Sequence, residues 1–173
     1  MLRRFETFAA GKDTERAYRA CVGFCEKFTP SCRGLRLCGN YGCGKTHLAA
    51  AIIHRMAENG VVGIMVVVPE LLNRIRKSFD NPNDDTEKIV KKVREAELLI
   101  MDDLGAEKPS AWVCEQLYML INYRYEMMLP TVITTNCKTD ELRKNLGERT
   151  VSRIIEMTEP VFISAGDYRL KMA

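Results

Sequence analysis

The sequence predicts an α/β domain in which a parallel sheet of five strands carries helices on both faces. Three observations point there. Short apolar, β-branched runs alternate with longer stretches of helical periodicity, and the connections between them are short. The first apolar run passes into a glycine-rich turn that opens a helix, and a later one stops at two consecutive aspartates. No repeat, linker or low-complexity tract divides the chain, so residues 1–173 read as one domain.

Taken in order, Phe5 and Phe8 sit in a short lead without periodicity. Asp13 is then a fitting N-cap for a helix whose Ala17, Ala20, Cys21, Phe24, Cys25 and Phe28 share one face and which Pro30 ends. Gly34 leads into the first strand. The helix after Lys45 runs to Asn59-Gly60, a natural C-terminal stop. Residues 61–68 are continuously apolar, as in a strand buried on both faces. Pro69 opens a helix with Leu71, Leu72, Ile75 and Phe79 on one face and Arg74, Arg76 and Lys77 off it. A polar turn over 80–85 precedes a short amphipathic helix with Ile89, Val90 and Val93 inward. Residues 98–103 form a third strand, Ser110 caps a long helix, and Pro130 introduces a strand over 131–135 that ends at Asn136. Two short helices follow, over 139–145 and 148–157, and a fifth strand over 160–164.

The turn carries the chemistry. Gly39, Asn40, Tyr41, Gly42, Cys43, Gly44, Lys45 and Thr46 complete the pattern G-x-x-x-x-G-K-[ST], between an apolar run and the helix former that starts at His47. Glycines let the backbone turn tightly and aim successive N–H groups inward, which makes an anion nest at a helix N-terminus. Lys45 adds a mobile cation for β- and γ-phosphate oxygens, and the Thr46 hydroxyl is placed to ligate Mg²⁺. Hydrolysis of the bound triphosphate, ATP, needs two more groups, and the strand ending in Asp102 and Asp103 supplies both. Asp102 completes the Mg²⁺ shell, directly on Thr46 or through water. Asp103 polarises the attacking water, and Asn136 at the end of the next strand reaches the γ-phosphate or that water.

Composition sets outer limits. Hydrophobic content of 46% and charged content of 28% are those of an ordinary globular protein with a real core. A net charge of +3 permits a nucleic-acid partner without requiring one. No run approaches a membrane span, and the lead lacks the apolar core of a secretory signal. The 7 cysteines are odd in number and lack paired C-x-x-C spacing, which argues against a disulfide framework or a zinc site and for a reducing cytoplasm.

These motifs together resemble the AAA+ ATPase domain of bacterial replicative helicase loaders of the DnaC and DnaI type, with the IstB transposition ATPases as close relatives. The resemblance rests on residues 4–8, the phosphate loop with residues 47–52, and residues 98–109, 134–136 and 146–156. It implies that Phe8 and His47 join the loop residues at the nucleotide. It implies that Arg153, or else Arg149, is an arginine finger inserted into the neighbouring subunit's ATP site, so that subunits self-associate through that site. Arg76 and Phe79 match a basic and an aromatic position that contact single-stranded DNA, although Phe79 also shares its helical face with Leu71 and Ile75. Arg169 matches a second sensor. A glutamate is usual where Asp103 stands, which implies slow turnover. The helical lid is reduced or absent. The loaders' helicase-binding N-terminal domain has no counterpart, which marks this as an ATPase domain cut from a longer protein, unless docking uses another surface. The function implied is delivery of a replicative hexameric helicase to single-stranded DNA. The alternative is an IstB-like regulator acting on duplex DNA with a transposase. A small-molecule kinase would need an acceptor pocket and an arginine-rich lid, and neither is evident.

Overall fold

The computed structural model describes residues 3–78 and 85–168. It contains β1 (Gly34–Gly39), β2 (Gly63–Val67), β3 (Leu98–Asp102), β4 (Thr131–Thr135) and β5 (Thr158–Ile163). The helices are α1 (Glu15–Glu26), α2 (Lys45–Glu58), α3 (Val68–Ser78), α4 (Thr86–Glu95), α5 (Ala111–Glu126), α6 (Thr139–Leu146) and α7 (Glu148–Met157). All strand pairs are parallel, in the order β2-β3-β4-β1-β5.

Alternate residues of the strands feed two cores. Leu35, Leu37, Leu98, Ile100, Val132, Val161 and Ile163 pack beneath α1 and α2. Leu99, Met101 and Ile133 face the apolar sides of α3, α5, α6 and α7. Gly34 is required where β1 begins, because a Cβ there would stand 1.8 Å from the Thr131 carbonyl oxygen of β4.

Two expectations need correction. Residues 61–68 are not a strand buried on both faces. β2 is shorter, half-buried along its whole length, and pairs only with β3, so it is the sheet's edge. Val68 already belongs to α3, since Pro69 suits the first turn of a helix better than a ladder. The N-cap of α1 is Thr14 rather than Asp13, and the Thr14 hydroxyl accepts from the Gly11 N–H in the turn before the helix. Phe79, the turn over 80–84 and Arg169 lie outside the described residues. Among the described residues no helix follows β5, and none is long and apolar enough to cross a membrane.

The end of the sheet away from the phosphate loop is locked by Arg124. Its side chain is fully buried and donates to Thr131 Oγ1 (2.9 Å) and to the carbonyls of Arg94 (2.9 Å), Ala96 (2.9 Å) and Pro130 (2.7 Å). Burial pushes the guanidinium down to about 10, which leaves it charged at neutral pH. One cation thus ties the end of α4 and the start of β4 to α5. Arg124→Leu strands these acceptors, and we expect a loss of about 4 kcal/mol in urea denaturation.

Candidate nucleotide site

β4 lies between β1 and β3, with Leu37 beside Thr134 and Met101 beside Ile133. The ends of these three strands therefore meet: the phosphate loop after β1, the two aspartates at the end of β3, and Asn136 after β4. Gly42 (φ +69°) and Gly44 (φ +100°) take the left-handed conformations that turn the loop into the first turn of α2. Lys45 is buried, and its ammonium donates to the Gly39 (2.9 Å) and Asn40 (2.7 Å) carbonyls, with Cys43 Sγ 3.7 Å away. Tyr41, by contrast, is 71% exposed at the loop's tip.

Asp102 is the junction of the site. Its Oδ1 accepts from the Thr46 hydroxyl (3.1 Å) at the start of α2 and from the Thr134 hydroxyl (2.6 Å) on β4. Thr134 Oγ1 in turn accepts from the Asp103 N–H at 2.9 Å. Asp103 has left the strand with φ +57°, and its turn is held by the Leu104 N–H on the Thr134 carbonyl and by Thr135 Oγ1 on the Leu104 carbonyl. Glu107 closes the same turn by accepting from the Gly105 N–H (3.2 and 3.0 Å). Burial raises the Asp102 carboxyl above its ordinary value, opposed mainly by the Thr134 hydrogen bond. Asn136 Oδ1 is buried without a hydrogen-bond partner.

A cavity of about 740 Å³ opens over this junction. It brings together ten of the residues that the sequence nominates: Phe8, Tyr41, Gly42, Cys43, Gly44, Lys45, Thr46, His47, Asp103 and Asn136. Gly39, Asn40 and Asp102 stand just behind its wall, as the acceptors already described. The lead forms one side: Phe8 packs on Gly44, where a Cβ would meet its ring at 2.8 Å, and lies edge-on to His47 with centroids 5.2 Å apart. His47 Nε2 is 2.9 Å from the Arg4 carbonyl oxygen and 3.2 Å from Thr7 Oγ1, so the imidazole fastens the lead to α2 while it lines the cavity. Two nominated residues stand elsewhere. Arg76 is exposed on α3, its guanidinium 4.8 Å from the Trp112 ring centre. Arg153 lies on α7 over Tyr118 and Tyr125.

Sequence reasoning missed Arg3, Lys12 and Thr14 on one wall of the cavity, Ala165, Gly166 and Tyr168 on another, and the role of Thr134. The Tyr168 N–H reaches the Gly42 carbonyl at 3.1 Å because β5 pairs with β1. Only that tertiary pairing puts the stretch after β5 beside the loop. Two cations flanking Phe8 in a non-periodic lead were the readable sign for Arg3 and Lys12.

The residues fit a nucleotide with Mg²⁺. The unpaired Asn136 amide oxygen and the two-hydroxyl junction at Asp102 are hard oxygen groups beside a loop of inward-turned backbone. Among the described residues no group of three or more His, Cys, Asp and Glu side chains forms a metal cage. Mg²⁺ suits such a place, since it takes one or two protein oxygens and completes its shell with phosphate and water.

Comparison with known proteins agrees with this geometry. Residues 13–173 match the family described as IstB-like ATP binding protein. The chain belongs to that family. Among its relatives, the replicative helicase loader DnaI of Bacillus subtilis is 29% identical over 144 residues, covering 80% of this chain and 46% of DnaI. The loader DnaC of Escherichia coli K12 is 26% identical over 131 residues, covering 76% of this chain and 54% of DnaC. This IstB-like domain thus spans about half the length of each. A crystal structure of the DnaC helicase loader superposes with a TM-score of 0.86 at 33% identity, covering 94% of this chain and 97% of that one. A structure of the initiator DnaA bound to AMPPCP and single-stranded DNA, 19% identical with a TM-score of 0.81, shares the AAA+ P-loop fold.

Two substitutions separate the junction's parts. Thr134→Val removes both hydrogen bonds of the hydroxyl and should cost about 2 kcal/mol in urea denaturation, and Thr134→Ser should restore most of it. In the nucleotide-free protein Asp102 binds its proton more readily folded than unfolded. Its contribution to stability therefore declines as pH rises from the ordinary carboxylate value through the raised one. Asp102→Asn removes that burden, so the nucleotide-free variant should melt higher than the parent at pH 7.

Proposed function

We propose that this domain binds ATP with Mg²⁺, hydrolyses it slowly, and serves as the motor of a replicative helicase loader. The observation that carries the reading is the hydrogen-bonded line Thr46–Asp102–Thr134–Asp103, which joins the phosphate loop to both aspartates through one buried carboxylate. Lys45 leaves its loop carbonyls to meet the β- and γ-phosphate oxygens, and the loop's N–H groups take the rest of the triphosphate. Thr46 and Asp102 would hold Mg²⁺, which when bound would supply positive charge for the phosphoryl oxygens. Asp103 orients the attacking water and accepts its proton, while the unpaired Asn136 amide oxygen accepts the water's other O–H. Asp103 is one methylene shorter than a glutamate, so its reach to the water is longer and turnover is slow.

In this reading subunits associate through the ATP site, with Arg153 as the finger. The exposed cations of α3, namely Arg74, Arg76 and Lys77, attract single-stranded DNA. ATP then keeps subunits, DNA and the hexameric helicase together, and hydrolysis releases them. Similarity to the named loaders DnaI and DnaC supports this reading.

Lys45→Ala should abolish binding of a fluorescent ATP analogue, whereas Asp103→Asn should leave it within about twofold and cut phosphate release about a hundredfold. In an anisotropy assay with ATP, labelled single-stranded DNA should bind more tightly than duplex of equal length. A preference for duplex would hand the function to the transposition reading.

A further inference from the structure

Among the described residues no carboxylate pairs with Arg153. Its guanidinium carbon lies 4.9 Å from the ring centre of Tyr118 and 5.6 Å from that of Tyr125. Glu156, three residues along α7, is the acid placed to pair with it. That carboxylate instead accepts the Tyr125 hydroxyl at 2.5 Å. Arg153 Nη1 is buried with no acceptor. A charged group left without an acceptor is unfavourable for the isolated fold, so stability alone does not account for the arrangement.

The rings make physical sense of it. Tyr118 and Tyr125 are seven residues apart on α5, two helical turns, and so present one face to α7. A carboxylate would fork onto the guanidinium and neutralise it. An aromatic face holds the cation through its quadrupole and leaves the charge, and the N–H groups other than the buried Nη1, for another anion. Arg153 does not line the cavity of its own chain. Arg149, one turn earlier on α7, is exposed and lies over neither ring.

We infer that Tyr118 and Tyr125 are positioning residues that hold the Arg153 guanidinium on α7, stacked and uncompensated, for the triphosphate bound by a neighbouring copy of the chain. The inference rests on the proposed association through the ATP site. It also selects Arg153 over Arg149 as the group delivered.

Mixed-subunit ATPase assays test it. Arg153→Ala protein keeps a sound ATP site and lacks the finger, and Lys45→Ala protein has the reverse defect. Each should be nearly inactive alone, and the mixture should turn over. A silent mixture overturns the intersubunit reading itself. The tyrosines are tested next as Tyr118→Leu/Tyr125→Leu, introduced into each partner. In a protein with Lys45 intact, the pair should lower turnover about tenfold, and adding Lys45→Ala subunits should restore it, which proves the variant folds and its own ATP site works. Added to Lys45→Ala, the same pair should fail to rescue Arg153→Ala subunits, whereas Tyr118→Phe, which keeps the ring and leaves the Tyr125 hydroxyl on Glu156, should rescue them. Full rescue by the leucine donor, after Arg153→Ala and Lys45→Ala have complemented each other, overturns the role of the rings and leaves the finger standing.

Discussion

One buried carboxylate organises this molecule's working end. Asp102 accepts hydroxyl protons from α2 and from β4, and both donors are threonines whose own backbones are fixed by regular structure. Helix, strand and acid are thereby held at separations that no single element could set. The burial that raises Asp102 also shields the group from water, which strengthens each of its hydrogen bonds. Thr134 extends the reach of the arrangement, because its one oxygen both donates to Asp102 and accepts from the Asp103 N–H.

The rest of the fold keeps that end still. Two apolar layers clamp the sheet from opposite faces, and Arg124 ties down its far end with four hydrogen bonds. Strand order does the remaining placement. With β4 between β1 and β3, the loop, the acids and Asn136 converge without any long connection crossing the sheet.

Much of this was legible in the residues. The phosphate loop and the aspartate pair declare themselves because their chemistry tolerates few substitutes at fixed spacing, and the order of helices and strands follows from periodicity. What escaped depends on contact across the fold. Tyr168 reaches the loop only because β5 pairs with β1. Thr134 looks like any β-branched strand residue until its neighbours on β3 are known. The half-buried state of β2 follows from its place at the sheet edge, whereas its composition suits an interior strand equally well. Arg153 is conspicuous as an arginine, yet the rings beneath it lie some thirty residues away and belong to another helix.

The cavity's walls have an unusual origin in the chain. One is the lead ahead of α1, pinned through His47 to the helix that opens the phosphate loop, and another is the stretch after β5. The two outermost described portions of the polypeptide therefore converge on one cavity, so any molecule that fills it would touch both.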